Sequence, residues 1–190
     1  CKHSNRTVNI VINSYSKWLP LPSNSRILST LPLFHVTGMQ NSMNVPIFNG
    51  NTIVLMSRWN VETALYFIKK YRIKSWRSIT TAIIDLITYF DPNKHDVSSL
   101  NSIGGGGASM PKNTAKKLKN ITSLDYVEAY GLTETMAPTH INPPCKTKLG
   151  SIGIPLFNVD ARIIDVDKKN ELGIQEVGEL VLFSPQLFLG

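Results

Sequence analysis

Between residue 26 and about residue 130, short apolar runs alternate with stretches of helical period, and this restricts the chain to few architectures. Ile27-Leu28-Ser29-Thr30-Leu31 and Thr52-Ile53-Val54-Leu55-Met56 are short, apolar and bounded by turn residues, so both read as buried strands. After the second, Asn60 opens a helix with Glu62 in its first turn and Lys69 and Lys70 in its last, the charge order a helix dipole favours. Val61, Leu65 and Ile68 form its apolar stripe. Ile83, Leu86, Ile87 and Phe90 recur at i, i+3, i+4 and i+7 and predict a second helix, ended by Asp91-Pro92. Ile103 leads into Gly104-Gly105-Gly106-Gly107, and a helix opens near Pro111 with Ala115 and Leu118 inward. Leu124-Asp125-Tyr126-Val127-Glu128-Ala129 reads as a further strand. Such alternation predicts an α/β fold, a mostly parallel sheet wrapped by helices.

Past residue 140 the helical periods stop, and Pro143-Pro144 marks a break. Val159-Asp160-Ala161-Arg162-Ile163-Ile164 and Gly178-Glu179-Leu180-Val181-Leu182-Phe183 predict an antiparallel pair across a loop around residues 168–170. An α/β part over residues 1–140 and a β-rich segment over 141–190 are therefore expected. With 42% hydrophobic and 17% charged residues the chain can bury a core. No run reaches the roughly 18 apolar residues that cross a bilayer. Cys1 and Cys145 give neither a disulfide framework nor a zinc spacing, so a reduced, cytoplasmic protein is expected. The first residues lack an apolar signal core and do not begin with Met, which suggests a piece of a longer chain.

The net charge is +7, from 20 Lys and Arg against 13 Asp and Glu. Basic residues gather at Lys69-Lys70-Tyr71-Arg72-Ile73-Lys74 and at Lys112, Lys116, Lys117 and Lys119. They could attract nucleic acid or an anionic cofactor, or simply be solvated helix faces. A nucleic-acid-binding module would need basic and aromatic residues on one face, whereas Trp18, Trp59 and Trp76 are scattered among core positions.

Two clusters follow predicted strands, where open α/β sheets bind ligands. The glycines from Gly104 to Gly107 would let backbone approach a flat ring or a phosphate, but a structural glycine turn explains them equally. The run lacks the Lys-Ser/Thr of a phosphate-cradling P-loop and the spacing of a dinucleotide fingerprint. In Tyr130-Gly131-Leu132-Thr133-Glu134-Thr135 the ring could stack on a base, the hydroxyls could bond phosphate and Glu134 could supply a hard oxygen to Mg²⁺. Glu134 could equally be a surface carboxylate or a helix-capping acid.

Tyr130 to Thr135 resembles the signature after the adenine-binding strand of the adenylate-forming family of acyl-CoA synthetases, luciferases and peptide-synthetase adenylation domains. Leu31-Pro32-Leu33-Phe34-His35 resembles its Leu-Pro-aromatic-His segment, and Gly106-Gly107-Ala108 its adenine-flanking Gly-Gly-Ala. Gly150-Ser151-Ile152-Gly153-Ile154-Pro155 resembles Gly-x-x-Gly-x-Pro, and Gly178-Glu179-Leu180 with Gly190 resembles a later Gly-Glu-Leu…Gly run. The blocks stand in family order and spacing over essentially the whole chain.

The resemblance implies attack of a carboxylate on the α-phosphate of ATP, giving an acyl-adenylate and pyrophosphate, followed by acyl transfer to the thiol of CoA. It implies that Tyr130 stacks on adenine opposite Gly107 and Ala108, within a nucleotide wall that includes Gly106, Ala129 and Gly131. It further implies that Thr133 bonds the α-phosphate, Glu134 holds Mg²⁺, and His35 sits where the acyl and CoA channels meet. Ala129 stands where the family often has an amide side chain, so a contact there would come from backbone. Ser78-Ile79-Thr80 replaces a common Val-Pro-Thr in the acyl-pocket wall.

Lys74-Ser75-Trp76 and the stretches 104–111 and 131–140 resemble fatty-acid-CoA ligases most, so a long-chain fatty acid is the expected acyl substrate beside ATP and CoA. No nucleic-acid partner and no transmembrane segment are expected; peripheral membrane association and oligomeric state are left open. A non-catalytic adenylate-binding homologue and a basic nucleic-acid-binding module remain the alternatives. His3-Ser4-Asn5 resembles the Thr-His-x-Asn just after the family's phosphate loop, and Gly190 precedes the family's ribose-binding Asp, hinge and C-terminal domain with its catalytic Lys. The chain is thus expected to be a central fragment of the large N-terminal domain. With those phosphate-neutralising groups outside it, the 190-residue chain alone should not catalyse ATP–pyrophosphate exchange; exchange at ordinary rates by the purified chain would refute this.

Overall fold

The apolar runs become strands of one sheet in a computed structural model that describes all 190 residues. Arg26–Ser29 (β1), Thr52–Leu55 (β2), Ser75–Ser78 (β3), Ser102–Gly105 (β4) and Tyr126–Tyr130 (β5) lie parallel in the order β2-β1-β3-β4-β5. His140–Ile141 (β6) and Ile154–Pro155 (β7) extend this sheet antiparallel, making seven strands. At residue 140 the pairing therefore changes direction within one sheet. Asp160–Ile164 (β8) and Glu179–Phe183 (β9) form a separate antiparallel pair.

Alternate residues of a strand face opposite sides, so the sheet carries two layers. On one face Leu28, Trp76, Ile103 and Tyr126 meet the helices Val61–Lys70 (α4), Thr80–Tyr89 (α5) and Lys112–Thr122 (α6). On the other, Val127 and Ile141 meet Ile12 and Tyr15 of the helix Asn5–Trp18 (α1). Ser4 caps α1 by accepting the Thr7 N–H at 3.2 Å, and Asn60 caps α4 by accepting the Thr63 N–H at 2.8 Å. Between them in sequence, Val36–Met39 (α2), a five-residue π turn and Val45–Phe48 (α3) cover the α1 side. No helix is long and apolar enough to cross a membrane.

The expected helices at 60 and 83 and the β8–β9 pair are present. Three features differ. Thr52–Leu55 is not a buried strand: it is the sheet edge, and Leu55 is 58% exposed. Ser75–Ser78 is a fully buried central strand that its polar sequence does not announce. It is secured by partners on both sides, β1 and β4. Helix α1 and the α2–α3 segment were also not evident from periodicity. The lysines of α4 and α6 lie along solvated helix faces, with Lys70 over the rings of Tyr66 and Tyr71 and Lys119 paired to Asp125.

Trp76 centres the larger core. It is fully buried, stacks on Trp59 at 5.6 Å, and donates its indole N–H to Thr30 Oγ1 at 3.0 Å. Trp76→Ala leaves both a cavity and an unpaired hydroxyl, and is expected to cost about 3–5 kcal/mol. Trp76→Phe, which keeps most of the packing, should cost markedly less; urea unfolding of the two variants checks the order.

Candidate active site

The carboxyl ends of β3, β4 and β5 open into two adjoining cavities. The first, about 270 Å³, lies between these strand ends, α1 and the segment around His35. The second, about 300 Å³, lies between the loop after β4 and the stretch Gly150–Ile152. Gly107, Ala129, Tyr130, Gly131 and Leu132 line both and form the wall between them. His35, Gly106, Thr133 and Glu134 line the first, and Ala108 lines the second. Every residue for which the resemblance implies a role thus borders one or both cavities.

The glycine run has two roles. A Cβ at Gly104, Gly105 or Gly106 would run into the carbonyl oxygens of Val127, Ser78 and Ala129, respectively, so these three are glycine because β4 lies hard against its neighbours. Gly107 is different: nothing lies within 4 Å of its missing Cβ, but its φ of +85° requires a residue that tolerates the left-handed region. It turns the chain out of the sheet between the cavities.

Glu128, buried in β5, fixes both sides of the second cavity. One carboxylate oxygen accepts the Met110 N–H at 2.7 Å and the other accepts the Gly150 N–H at 2.8 Å. Asn142 extends the tie, donating to Ser151 O at 2.7 Å and accepting from the Lys148 N–H at 2.9 Å. The sequence placed Glu128 in a strand without a role, since nothing local marks a carboxylate whose partners lie 18 and 22 residues away.

The turn after β5 is held without using the side chains of Thr133 or Glu134. Thr135 Oγ1 accepts the Leu132 N–H at 2.9 Å and contacts Leu132 O at 3.0 Å. Gln186, fully buried, donates to the carbonyls of Thr135, Ala137 and Pro138 at 2.7, 3.1 and 3.1 Å. A His3 ring nitrogen lies 2.8 Å from Thr133 O, and the Phe188 N–H donates to Glu134 O at 2.8 Å. Met136 and Ala137 follow at φ +54° and +67°, a conformation non-glycine residues adopt only when surroundings impose it. The Thr133 hydroxyl and Glu134 carboxylate remain exposed, with no hydrogen-bond partner in the chain.

Two histidines flank the wall. His35 caps α2: its Nδ1 accepts the Thr37 N–H at 3.1 Å, so the neutral ring carries its proton on Nε2. His140 is buried, packs edge-on against the Tyr130 ring at 6.1 Å, and contacts Thr139 Oγ1 through Nδ1 at 3.0 Å. Burial holds its pKa below the ordinary value. No group of three or more His, Cys, Asp or Glu converges anywhere, and Glu134 is the one carboxylate lining the first cavity.

The cavities also include residues that no motif marked: Tyr15 and Leu19 beyond α1's midpoint, Asn41 in the π turn, and Arg77 in β3. An Arg inside a short segment between helices was the one available signal, and it became meaningful only once that segment proved to be a central strand.

The family of AMP-binding enzymes matches residues 2–190. Among curated relatives, 4-coumarate–CoA ligase-like 9 of Arabidopsis thaliana is 33% identical over 166 residues, covering 86% of this chain and 29% of that protein. A long-chain-fatty-acid–CoA ligase of Bacillus subtilis is 31% identical over 166 residues, covering 87% and 30%. The chain thus spans under a third of the length of these relatives. In fold it is similar to the O-succinylbenzoate coenzyme A synthetase of Bacillus subtilis solved with ATP and magnesium ion. The TM-score is 0.87 at 24% identity, over 99% of this chain and 38% of that one.

The sign of a pH effect at the wall follows from His140. Its folded pKa is depressed, so its contribution to stability is complete above the unfolded value near 6.5 and is lost as pH falls through the folded value. Melting temperature should therefore drop on acidification below about pH 6.5, and His140→Gln should flatten that part of the profile in a thermal-shift titration.

Proposed function

The chain belongs to the AMP-binding enzyme family, and from that premise we propose that the protein carrying it is an AMP-forming acyl-CoA ligase that activates a fatty acid. ATP and the acid give an acyl-adenylate and pyrophosphate, and CoA then takes the acyl group. Residues 1–140 would form the α/β subdomain with the acyl- and adenine-binding segments, and residues 141–190 the start of a β-rich subdomain of the same adenylation domain. The observation that carries this reading is the rigid turn after β5, which leaves Thr133 and Glu134 without protein partners beside the wall between two cavities.

The roles are those the family resemblance implies, and the positions of the residues support them. The second cavity takes adenine, with Tyr130 stacked on the base and the backbone of Gly106, Gly107, Ala108, Ala129 and Gly131 shaping its edge. Tyr130 is suited to this because His140 packs edge-on against its ring and stays neutral near pH 7. Thr133 donates to the α-phosphate, where charge develops as the acid attacks. Glu134 is the residue that would hold Mg²⁺; one free carboxylate suits an ion that keeps water and phosphate oxygens as its other ligands. When bound, that ion neutralises phosphate charge. His35, with Nε2–H available at the first cavity, would meet the acyl group and the incoming CoA thiol. The fatty-acid assignment rests on the sequence resemblance and on a relative that bears that activity in its name.

The test uses the full-length protein: ATP- and acid-dependent release of AMP and pyrophosphate. Glu134→Gln removes the charge and keeps the shape, and should lower the adenylation rate roughly 10²-fold while raising the Mg²⁺ concentration required. Unchanged rates in that variant would remove Glu134 from the chemistry.

A further inference from the structure

Arg77 lies in the middle of β3 on the face turned away from Trp76, and it lines the first cavity. It is only 5% exposed. Its Nη2 donates to Ser102 Oγ at 2.6 Å, while Nη1 is buried and has no partner. No carboxylate stands within ion-pair distance of the guanidinium, although six other ion pairs form on the surface. The chain makes room for it: Gly104 is its partner in β4, and a Cβ there would lie 2.6 Å from Nη1.

A guanidinium cannot shed its proton, and a buried charge without a counter-ion is strongly unfavourable. Its surroundings add polarity rather than charge. Ser29, opposite Arg77 in β1, and Asn41, on the cavity wall, each keep a buried oxygen without a partner. A cavity built for a plain hydrocarbon chain would have no use for this arrangement. An anion in the cavity satisfies Nη1 and neutralises the charge at once.

We propose that Arg77 binds a second carboxylate on the acyl substrate, so that the acid activated is a dicarboxylic acid held at its far end by this residue. The inference rests on the acyl-CoA ligase reading above and narrows its fatty acid to one with an anionic terminus. The other available anion is a phosphate of ATP. Arg77 shares the first cavity with Thr133 and Glu134, which would meet the phosphates, so its place in the strand order is what separates the two anions. Arg77 stands on β3, with β4 between it and the strand that leads into the Thr133–Glu134 turn. The substrate's far end fits that position better than the nucleotide does.

The experiment measures acid-dependent AMP release by the full-length protein with dicarboxylic acids and with monocarboxylic acids of equal length, at varied ATP. The dicarboxylic acids should be preferred on the order of 10²-fold in kcat/KM, because a site built to bond a polar group rejects the analogue that lacks it. Arg77→Met should abolish this preference, mainly through the KM for the acid, and leave the KM for ATP unchanged. Equal use of the matched monocarboxylic acids by the unaltered protein would overturn the inference while leaving the ligase reading intact. So would a rise in the KM for ATP with every acid in Arg77→Met, which would assign the residue to phosphate. Absence of AMP release with any acid would overturn both readings. If Arg77→Met does not fold, the comparison of acids on the unaltered protein decides alone.

Discussion

The close approach of β4 to β3 and β5 is the constraint on which the site depends. Three successive glycines allow it, because carbonyl oxygens of the neighbouring strands occupy the space a Cβ would need at each. A side chain at Gly105 would push against Ser78 O and separate the two strands that define the inner edge of the first cavity. The same tight packing brings Gly107 to the strand end, where its positive φ turns the chain outward. It also leaves space at Gly104 for the Arg77 guanidinium. One packing requirement therefore sets the wall between two cavities and admits a charge into one of them.

Rigidity around that wall comes from buried polar side chains that bond to backbone groups of separate segments. Glu128 spends both carboxylate oxygens on backbone N–H groups of two loops, and Gln186 satisfies three carbonyls of the turn after β5. Bonds of this kind, made inside a poorly solvated interior, fix geometry more firmly than exposed ones. The two oxygen-bearing side chains at the tip of the turn are left over. Free polar groups on a rigid turn are pre-organised for a ligand, since the chain need not break internal bonds to offer them.

The sheet's two faces differ in character. The face under α4, α5 and α6 is a continuous apolar core around Trp76. The face under α1 and the π turn mixes a smaller apolar cluster with Ser29, Gln40, Asn41, Ser42 and Arg77, and several of their polar atoms lack partners. Unsatisfied buried polar groups lower stability, so the cavity side of the sheet is the less stably packed of the two faces.

The sequence by itself determined the α/β class, helices α4, α5 and α6 and the β8–β9 pairing, and its motifs named residues from Gly106 to Ala108 and from Ala129 to Glu134 that border the two cavities. Those features rest on local signals: apolar period, capping residues, glycine and short motifs read within a few residues. Only the tertiary structure decided that Ser75–Ser78 is a central strand, that Thr52–Leu55 is an edge, and that the run Gly104–Gly106 is glycine for packing while Gly107 is glycine for its turn. The same holds for Glu128, Gln186 and Arg77. Their roles are set by partners or vacant space contributed by segments far along the chain, and such pairings leave no periodic trace in the residues themselves.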